Sequence, residues 1–570
     1  MEKRLILAIV LSFLVLFLYQ LIFVKPAQKP EIRPQKTQAQ VNQPATPSEA
    51  KTPAAEPLPA VKDKKEERPG EVLEDNTEKT IKVETPLYVA EWSNRGGTLR
   101  SWKLKHHLKS LPSKNEQETE WLDLVPGSAA KTGLYPFALK VENQELSEKL
   151  NQALYRVNGG DLSLAGEQTG SLIFEYSDGN NVSIIKEFVF NGQDYNFKVR
   201  TILEVNGQES KPILLWGPGI GTLSPEELKQ KFSANRGVAF LSQKDNKVFR
   251  LLEKKISLEN EAQRFAGLTW AAYEENYFAS IFLFGPEGSQ AFAYRLDLNE
   301  QQADGKTVMV PYYYLGLANP VEAYLGPKEY DRLKAYGHQT KKIINFGFFG
   351  GVAELLLVAT KFFHRYFPNW GLAIIIMTLI IKIIFFPLTY SSTKSMARMQ
   401  ELQPKIKALR AKYKKAKQDM EQRRQMNEEL MQLYKEHGIN PASGCLPLLI
   451  QLPVFWGFFR MLVVAVEFRH SPFVFWIKDL SVRDPFYVTP VLMGVTQYIS
   501  QKMTPSTADP AQQKMMLLMP FIFTIFFMNF QAGLVLYWLT NNVLQIAQQA
   551  IMNKMMAAKR EKDGKRKKKQ

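Results

Sequence analysis

The chain has 570 residues, a formal net charge of +17 and a single cysteine, Cys445. That length admits several domains, the charge suits anionic lipid, ribosomes or nucleic acid, and one cysteine excludes an intramolecular disulfide and a cysteine-only metal cage. Mean hydropathy is -0.23, but apolar residues gather at the N-terminus and in the last third, so the average hides membrane segments.

Lys3 and Arg4 precede an apolar run from Leu5 to Val24. A cleaved signal peptide has a core of about 7–15 residues and a small-residue cleavage site. This run is longer and ends in FVKP, which predicts an uncleaved signal anchor over 1–24 with its N-terminus in the cytoplasm. Residues 25–80 are rich in Pro, Gln, Ala, Lys and Glu, too polar to offset chain entropy, and predict a disordered tether.

Residues 81–337 have the pattern of a soluble β-domain. In Leu172–Val205, three strand-like runs are separated by Asp178-Gly179 and Asn191-Gly192, and Asn206-Gly207 closes the third. Such pairs favour two-residue hairpin turns, whose central residues need positive φ. The spacing predicts a large antiparallel sandwich. Ser224–Lys231 has the cap and first-turn proline of a short helix. Residues 338–368 predict an amphipathic helix lying in the membrane interface.

Asn369–Thr389 is long and apolar enough to span a bilayer, yet it contains Lys382. Residues 390–440 hold twelve Lys or Arg against six Asp or Glu. Met396, Met399, Leu402, Ile406, Leu409 and Tyr413 form a seam at coiled-coil spacing. Pro404 should start or kink a helix, and His437-Gly438 marks a helix end. This block predicts a cytoplasmic helical hairpin. Further spans are expected at 441–467, 486–502, 515–531 and 532–553, with an external loop at 468–485, a cytoplasmic loop at 503–514 and a basic tail at 554–570. Six spans with both termini in the cytoplasm satisfy the positive-inside rule. The β-domain then lies outside, in the periplasm of a bacterium with two membranes.

A charge within a span is costly and marks function. Thr378 and Lys382 are four apart on one face. Gln451, Thr496, Gln497 and Thr524 lie in other spans, and Trp538, Asn541, Asn542, Gln545 and Gln549 form one stripe. These groups predict a wet cavity open to the cytoplasm. The plainer alternatives are interhelical hydrogen bonding for the amides and hydroxyls and snorkelling for Lys382 and Arg460. No HExxH, GxSxG or Walker motif is present, His106-His107 is the only histidine pair, and no carboxylate lies in the interior of a span. Catalytic, metal and cofactor chemistry therefore have no visible seat.

The segments NWGLAIII…FFPLT (369–389), MQELQPKIKALR (399–410), INPASGCLPLLIQLPVFWGFF (439–459), EFRHSPFVFWIKDLSVRDPFYVTPVLMGVTQYISQKM (467–503), DPAQQKMMLLMPFIFTIFF (509–527) and GLVLYWLTNN (533–542) occur in that order. Through them the whole chain resembles the YidC family of membrane protein insertases, in its long Gram-negative form. The resemblance implies a polytopic α-helical membrane protein with a five-helix insertase core and a periplasmic all-β supersandwich domain. It implies no enzymatic activity, but insertion and folding of inner-membrane proteins, alone or beside the Sec translocon, through a hydrophilic groove. The implied groove residues are Lys382, Thr378, Gln451, Thr496, Gln497, Tyr537, Trp538 and Asn541. The implied partners are nascent membrane proteins, the Sec translocon, the ribosome and signal-recognition pathway, and membrane lipids, with no specific DNA binding. Lys405, Lys407, Arg410, Lys565, Arg566, Lys567, Lys568 and Lys569 would meet the ribosome or targeting factors. At Lys382 the family usually has arginine, so charge is kept while the bidentate fork is lost. Two rival readings are a transporter or channel using the same polar cavity, and a sugar-processing ectodomain on a membrane anchor.

Overall fold

Of the three turn signals, Asn206-Gly207 makes the two-residue hairpin. Val205 pairs with Gln208, and φ is 55° at Asn206 and 73° at Gly207, the conformation such a turn requires. The other two expectations are corrected. Asp178 ends its strand, and its Oδ1 accepts the N–H groups of Asn180, Asn181 and Val182 at 3.0–3.1 Å. Asn191 likewise ends a strand and accepts from Gln193 and Asp194 at 3.1 and 2.8 Å. A short carboxylate or amide that bonds the backbone ahead builds a longer loop in place of the tight one.

A computed structural model of the chain describes residues 71–111, 120–221, 236–285, 289–301, 307–413, 419–439, 446–504 and 510–567. The expected first span, most of the tether, the Ser224–Lys231 helix and Cys445 lie outside them. Val72–Gln570 clusters as one unit. The tether ends earlier than expected, because Val72–Leu73 adds as a strand beside Ser177 and Asp178.

Among the described residues the largest sheet has eleven strands. Val182–Asn191 pairs with Thr169–Asp178 and with Asn196–Val205. The sheet continues through Pro320–Pro327, Phe278–Phe284, Leu268–Glu274 and Gly237–Ser242 to Val248–Leu252. Two five-stranded sheets, one around Gln290–Gln301 and Thr307–Ala318 and one around Tyr88–Ser93 and Thr98–Leu108, complete the domain. Two features depart from an all-β antiparallel sandwich. Thr80–Glu84 pairs in parallel with Leu162–Ser163, and short helices α1 (Ala129–Thr132), α2 (Gln144–Gln152) and α3 (Tyr330–Tyr336) are inserted. Asn143 caps α2 by accepting from Leu146, a local signal of the usual kind.

Aromatic rings fill the space between sheets. Trp102 stacks on Tyr88 at 3.9 Å and donates to the Leu325 carbonyl at 3.0 Å. Along Val182–Asn191 every second side chain is buried, as strand geometry dictates, and Lys186 occupies one of those inward positions. Its Nζ donates to the carbonyls of Gly96 at 2.6 Å and Phe137 at 2.7 Å.

The remaining chain is helical: α4 (Gly350–Tyr366), α5 (Trp370–Glu401), α6 (Gln403–Lys412), α7 (Met420–Glu436), α8 (Leu446–Val464), α9 (Val488–Met503), α10 (Pro510–Phe527) and α11 (Ala532–Lys567). Asn369 caps α5 by accepting from Leu372 at 3.0 Å. The helix does not stop at Thr389 but runs on to Glu401, with Pro387 inside it. Hydropathy marks where apolar residues end, not where the hydrogen-bonded backbone does. For the same reason α10 begins at Pro510 and α11 continues through the expected basic tail to Lys567. Pro404 stands in the first turn of α6, and Gly438 follows α7 at φ 62°. Met399, Leu402 and Ile406 of the expected seam are buried with Ile439 against Leu430, Leu433 and Tyr434, whereas Met396, Leu409 and Tyr413 are half-buried. Among the described helices, α5 alone is long and apolar enough to cross a membrane; Ile450–Val464 and Lys514–Phe527 are apolar but shorter. One face of α4 buries Ala353, Leu356, Leu357 and Thr360, while Leu355, Val358 and Phe362 are exposed on its other side.

Candidate functional site

Helix α11 carries a polar stripe. Trp538, Asn541, Asn542 and Gln545 recur every three or four residues, which puts them on one face over about 10 Å at 1.5 Å per residue. Each reaches a different neighbour. Trp538 Nε1 donates to Gln497 Oε1 of α9 at 3.1 Å. Gln451 Nε2 of α8 donates to Asn541 Oδ1 at 2.8 Å. Asn542 Nδ2 donates to the Met493 carbonyl at 3.1 Å and to Thr496 Oγ1 at 3.4 Å, both on α9. Lys382 Nζ of α5 donates to Gln545 Oε1 at 2.8 Å. Groups of this kind need such partners where water is absent.

Not every expected groove residue joins the stripe. Thr378 is only 1% exposed, and its hydroxyl donates to the Ile374 carbonyl at 2.7 Å. One turn from Lys382, it is turned into the packing of its own helix, a common fate for a helical threonine. Tyr537 is also buried, its ring stacked on Phe458 at 4.2 Å, but its hydroxyl meets Gln451 and so touches the polar set. Thr496 bonds back to Leu492 and Met493 at 2.8 and 2.9 Å while accepting from Asn542. Lys382, Gln451, Gln497, Trp538, Asn541 and Gln545 are half-buried. Lys382 lies at the border of two faces of α5. Ile374, Met377 and Thr378 are buried on one side, and Leu379, Ile383 and Ile384 are exposed on the other. The ammonium turns toward α11, where Gln545 accepts from it.

The expected targeting residues are elsewhere. Lys405, Lys407 and Arg410 are exposed on α6, with Lys405 Nζ 3.1 Å from His437 Nε2. Lys565, Arg566 and Lys567 fall on the backbone of α11, their side chains outside the described structure, and Lys568 and Lys569 lie outside the described residues.

Residues 467–485 join the helices to the β-domain, which their balanced charge did not signal. Arg469 is 7% exposed; its guanidinium donates to the carbonyls of Leu108 at 2.8 Å and Lys109 at 3.2 Å and lies over the Phe278 ring. Asp484 accepts from Trp476, Phe486 and Thr489 at 2.8–3.0 Å, fixing the start of α9. Ala532 and Gly533, at the start of α11, donate to the carbonyls of Val482 and Leu480 at 2.7 and 2.9 Å. Lys361 of α4 bridges Asp331 at 2.7 Å and Glu467 at 3.1 Å, and Arg460 donates to the Asn345 carbonyl ahead of α4. Burial, reinforced by the Arg469 charge, pushes the His107 imidazole down to about 3.

A β-rich domain joined to apolar helices, with a cation and amides half-buried among them, is the architecture of an integral membrane protein with a large domain outside the bilayer. A family model described as 60Kd inner membrane protein matches residues 362–560, and one described as YidC periplasmic domain matches residues 80–359. A membrane protein insertase YidC from Geotalea daltonii is 35% identical over 98% of this chain and 100% of the relative. Another, from Geobacter metallireducens, is 36% identical over 98% of this chain and 99% of the relative. The crystal structure of an active YidC insertase with its first transmembrane domain resolved aligns with 84% of this chain and 94% of its own, at 21% identity and a TM-score of 0.35. The chain belongs to the YidC family of membrane protein insertases, integral inner-membrane proteins with a periplasmic domain.

Proposed function

We propose that the chain inserts membrane proteins through the polar stripe of α11 and the Lys382 charge. The observation that carries this reading is that α5 and α8 each send one polar side chain, and α9 two, to successive turns of α11, with Lys382 among them at 2.8 Å from Gln545. A short polar segment of a client is costly to move through lipid. Polar groups held part-way across the apolar layer shorten that path, and a fixed cation attracts acidic residues in the segment. The client's apolar helix then leaves along the exposed faces of α9 and α10, driven by burial in lipid. No covalent step is required.

In the same reading the chain crosses the membrane six times with both termini in the cytoplasm. The α6–α7 hairpin and the basic end of α11 receive ribosomes and signal-recognition components, and the chain works alone or beside the Sec translocon. The test is insertion of a client with an acidic external tail into proteoliposomes by the Lys382→Glu variant, with photocrosslinking from position 451. Reversed charge should reduce insertion of that client about tenfold or more, and the client helix should crosslink at 451. Wild-type insertion by a folded Lys382→Glu protein would remove the electrostatic part of the mechanism.

A further inference from the structure

Lys382 has three N–H donors and no acceptor, and among the described residues its hydrogen-bond partner is Gln545, at 2.8 Å. That partner is a neutral amide. No Asp or Glu occurs in α5 before Glu401, in α8, α9 or α10, or in α11 before Glu561. A carboxylate at this place would cancel the charge; an amide oxygen takes one donor and leaves the charge whole. The helix that carries the acceptor is itself tied to its neighbours one turn earlier, where Asn541 meets Gln451 and Asn542 meets Thr496.

We propose that Gln545 is the positioning residue that fixes the Lys382 ammonium at the edge of α5, leaving donors for an acidic client segment, and so sets the preference for such segments. The inference rests on the groove reading and deepens it. A flexible lysine stem loses rotamer freedom whenever its head is captured; anchoring it beforehand reduces that loss when a client arrives. Lysine makes only point contacts where arginine presents a fork, so an external acceptor supplies the orientation that the side chain lacks.

The experiment uses the full-length protein in proteoliposomes and one single-span client in two forms, its short external tail carrying either two Asp or two Asn. Gln545→Glu should slow insertion of the Asp form about tenfold or more, while the Asn form stays within about twofold. Gln545→Leu, which keeps the charge and loses the anchor, should slow the Asp form by a smaller factor, about three- to fivefold. It also decides the matter should Gln545→Glu fail to fold. An equal change in both forms relative to wild type in either folded variant, whether none or a uniform reduction, would overturn the assignment. Lys382→Met separates the two levels. If it spares the Asp form, the groove reading falls and takes this inference with it. If it slows the Asp form selectively and the Gln545 variants do not, the role of Gln545 alone falls.

Discussion

Lys186 meets backbone carbonyls inside the β-domain, and burial lowers its ammonium to about 7. In the unfolded chain the same group titrates near 10.5. Between those values the unfolded state binds more protons, so the folded state gains stability as pH rises through the interval and loses it as pH falls back toward 7. From pH 7 to pH 9 this one group should add about 2 kcal/mol. Denaturant unfolding of the full-length protein in detergent, followed by tryptophan fluorescence, measures the slope. Lys186→Met should remove that slope while leaving two buried carbonyls without a donor, an offset of about 1–3 kcal/mol each. Parallel pH dependence in the two proteins would assign the slope to other groups. The strand pattern makes Lys186 visible as an inward position, but its carbonyl cage comes from residues about 50 and 90 positions away in sequence, which no strand periodicity reports.

Among the elements, α9 and α10 meet at Gly494, where an added Cβ would run into Thr524 Oγ1. That hydroxyl already donates to the Pro520 carbonyl at 2.8 Å, so it cannot turn aside without losing a bond. Gly494→Ala should therefore lower the detergent Tm by an amount equivalent to about 1–3 kcal/mol. Thr524→Ala should recover part of the loss in the double variant, and simple additivity would rule out the clash as its cause. The starts and stops of helices were legible wherever one residue decides them: Pro404 opens α6, and Gly438 follows α7 in the left-handed conformation. Asp178 and Asn191 were harder, because the same residue types serve a tight turn or a side-chain-capped loop, and only the partner strand's register chooses. The stripe on α11 was legible from spacing, but the pairing of Lys382 with Gln545 spans 163 positions and depends on which helices become neighbours. Thr378 shows the converse error, since sharing a face with Lys382 does not say whether that face is groove or packing.

In the whole molecule, residues 467–485 connect the β-domain and the membrane helices through Arg469, whose guanidinium donates to Leu108 and Lys109. Losing a buried, charge-assisted donor to two carbonyls weakens such a contact by about 1.5–3 kcal/mol per bond. Arg469→Ala should therefore speed amide exchange at residues 98–108 and 467–485 about tenfold or more, by local opening. Strands Thr169–Asp178, Val182–Asn191 and Asn196–Val205, held in their own ladder, should keep their wild-type protection. Acid should act at the same place. The groups around His107 are Arg469, His106, His470 and Arg332, and with burial they hold its imidazole at about 3 against an ordinary value of 6.5. An imidazole released from the junction takes up a proton below about pH 6.5, so the docked arrangement is favoured above that value and weakens as pH falls toward 3. Exchange rates corrected for intrinsic pH dependence should show the junction loosening from pH 7 to pH 5 in the wild type. His107→Gln should abolish that change while leaving the Arg469 bonds in place. A variant that loosens with acid as the wild type does would place the sensitivity elsewhere in the junction.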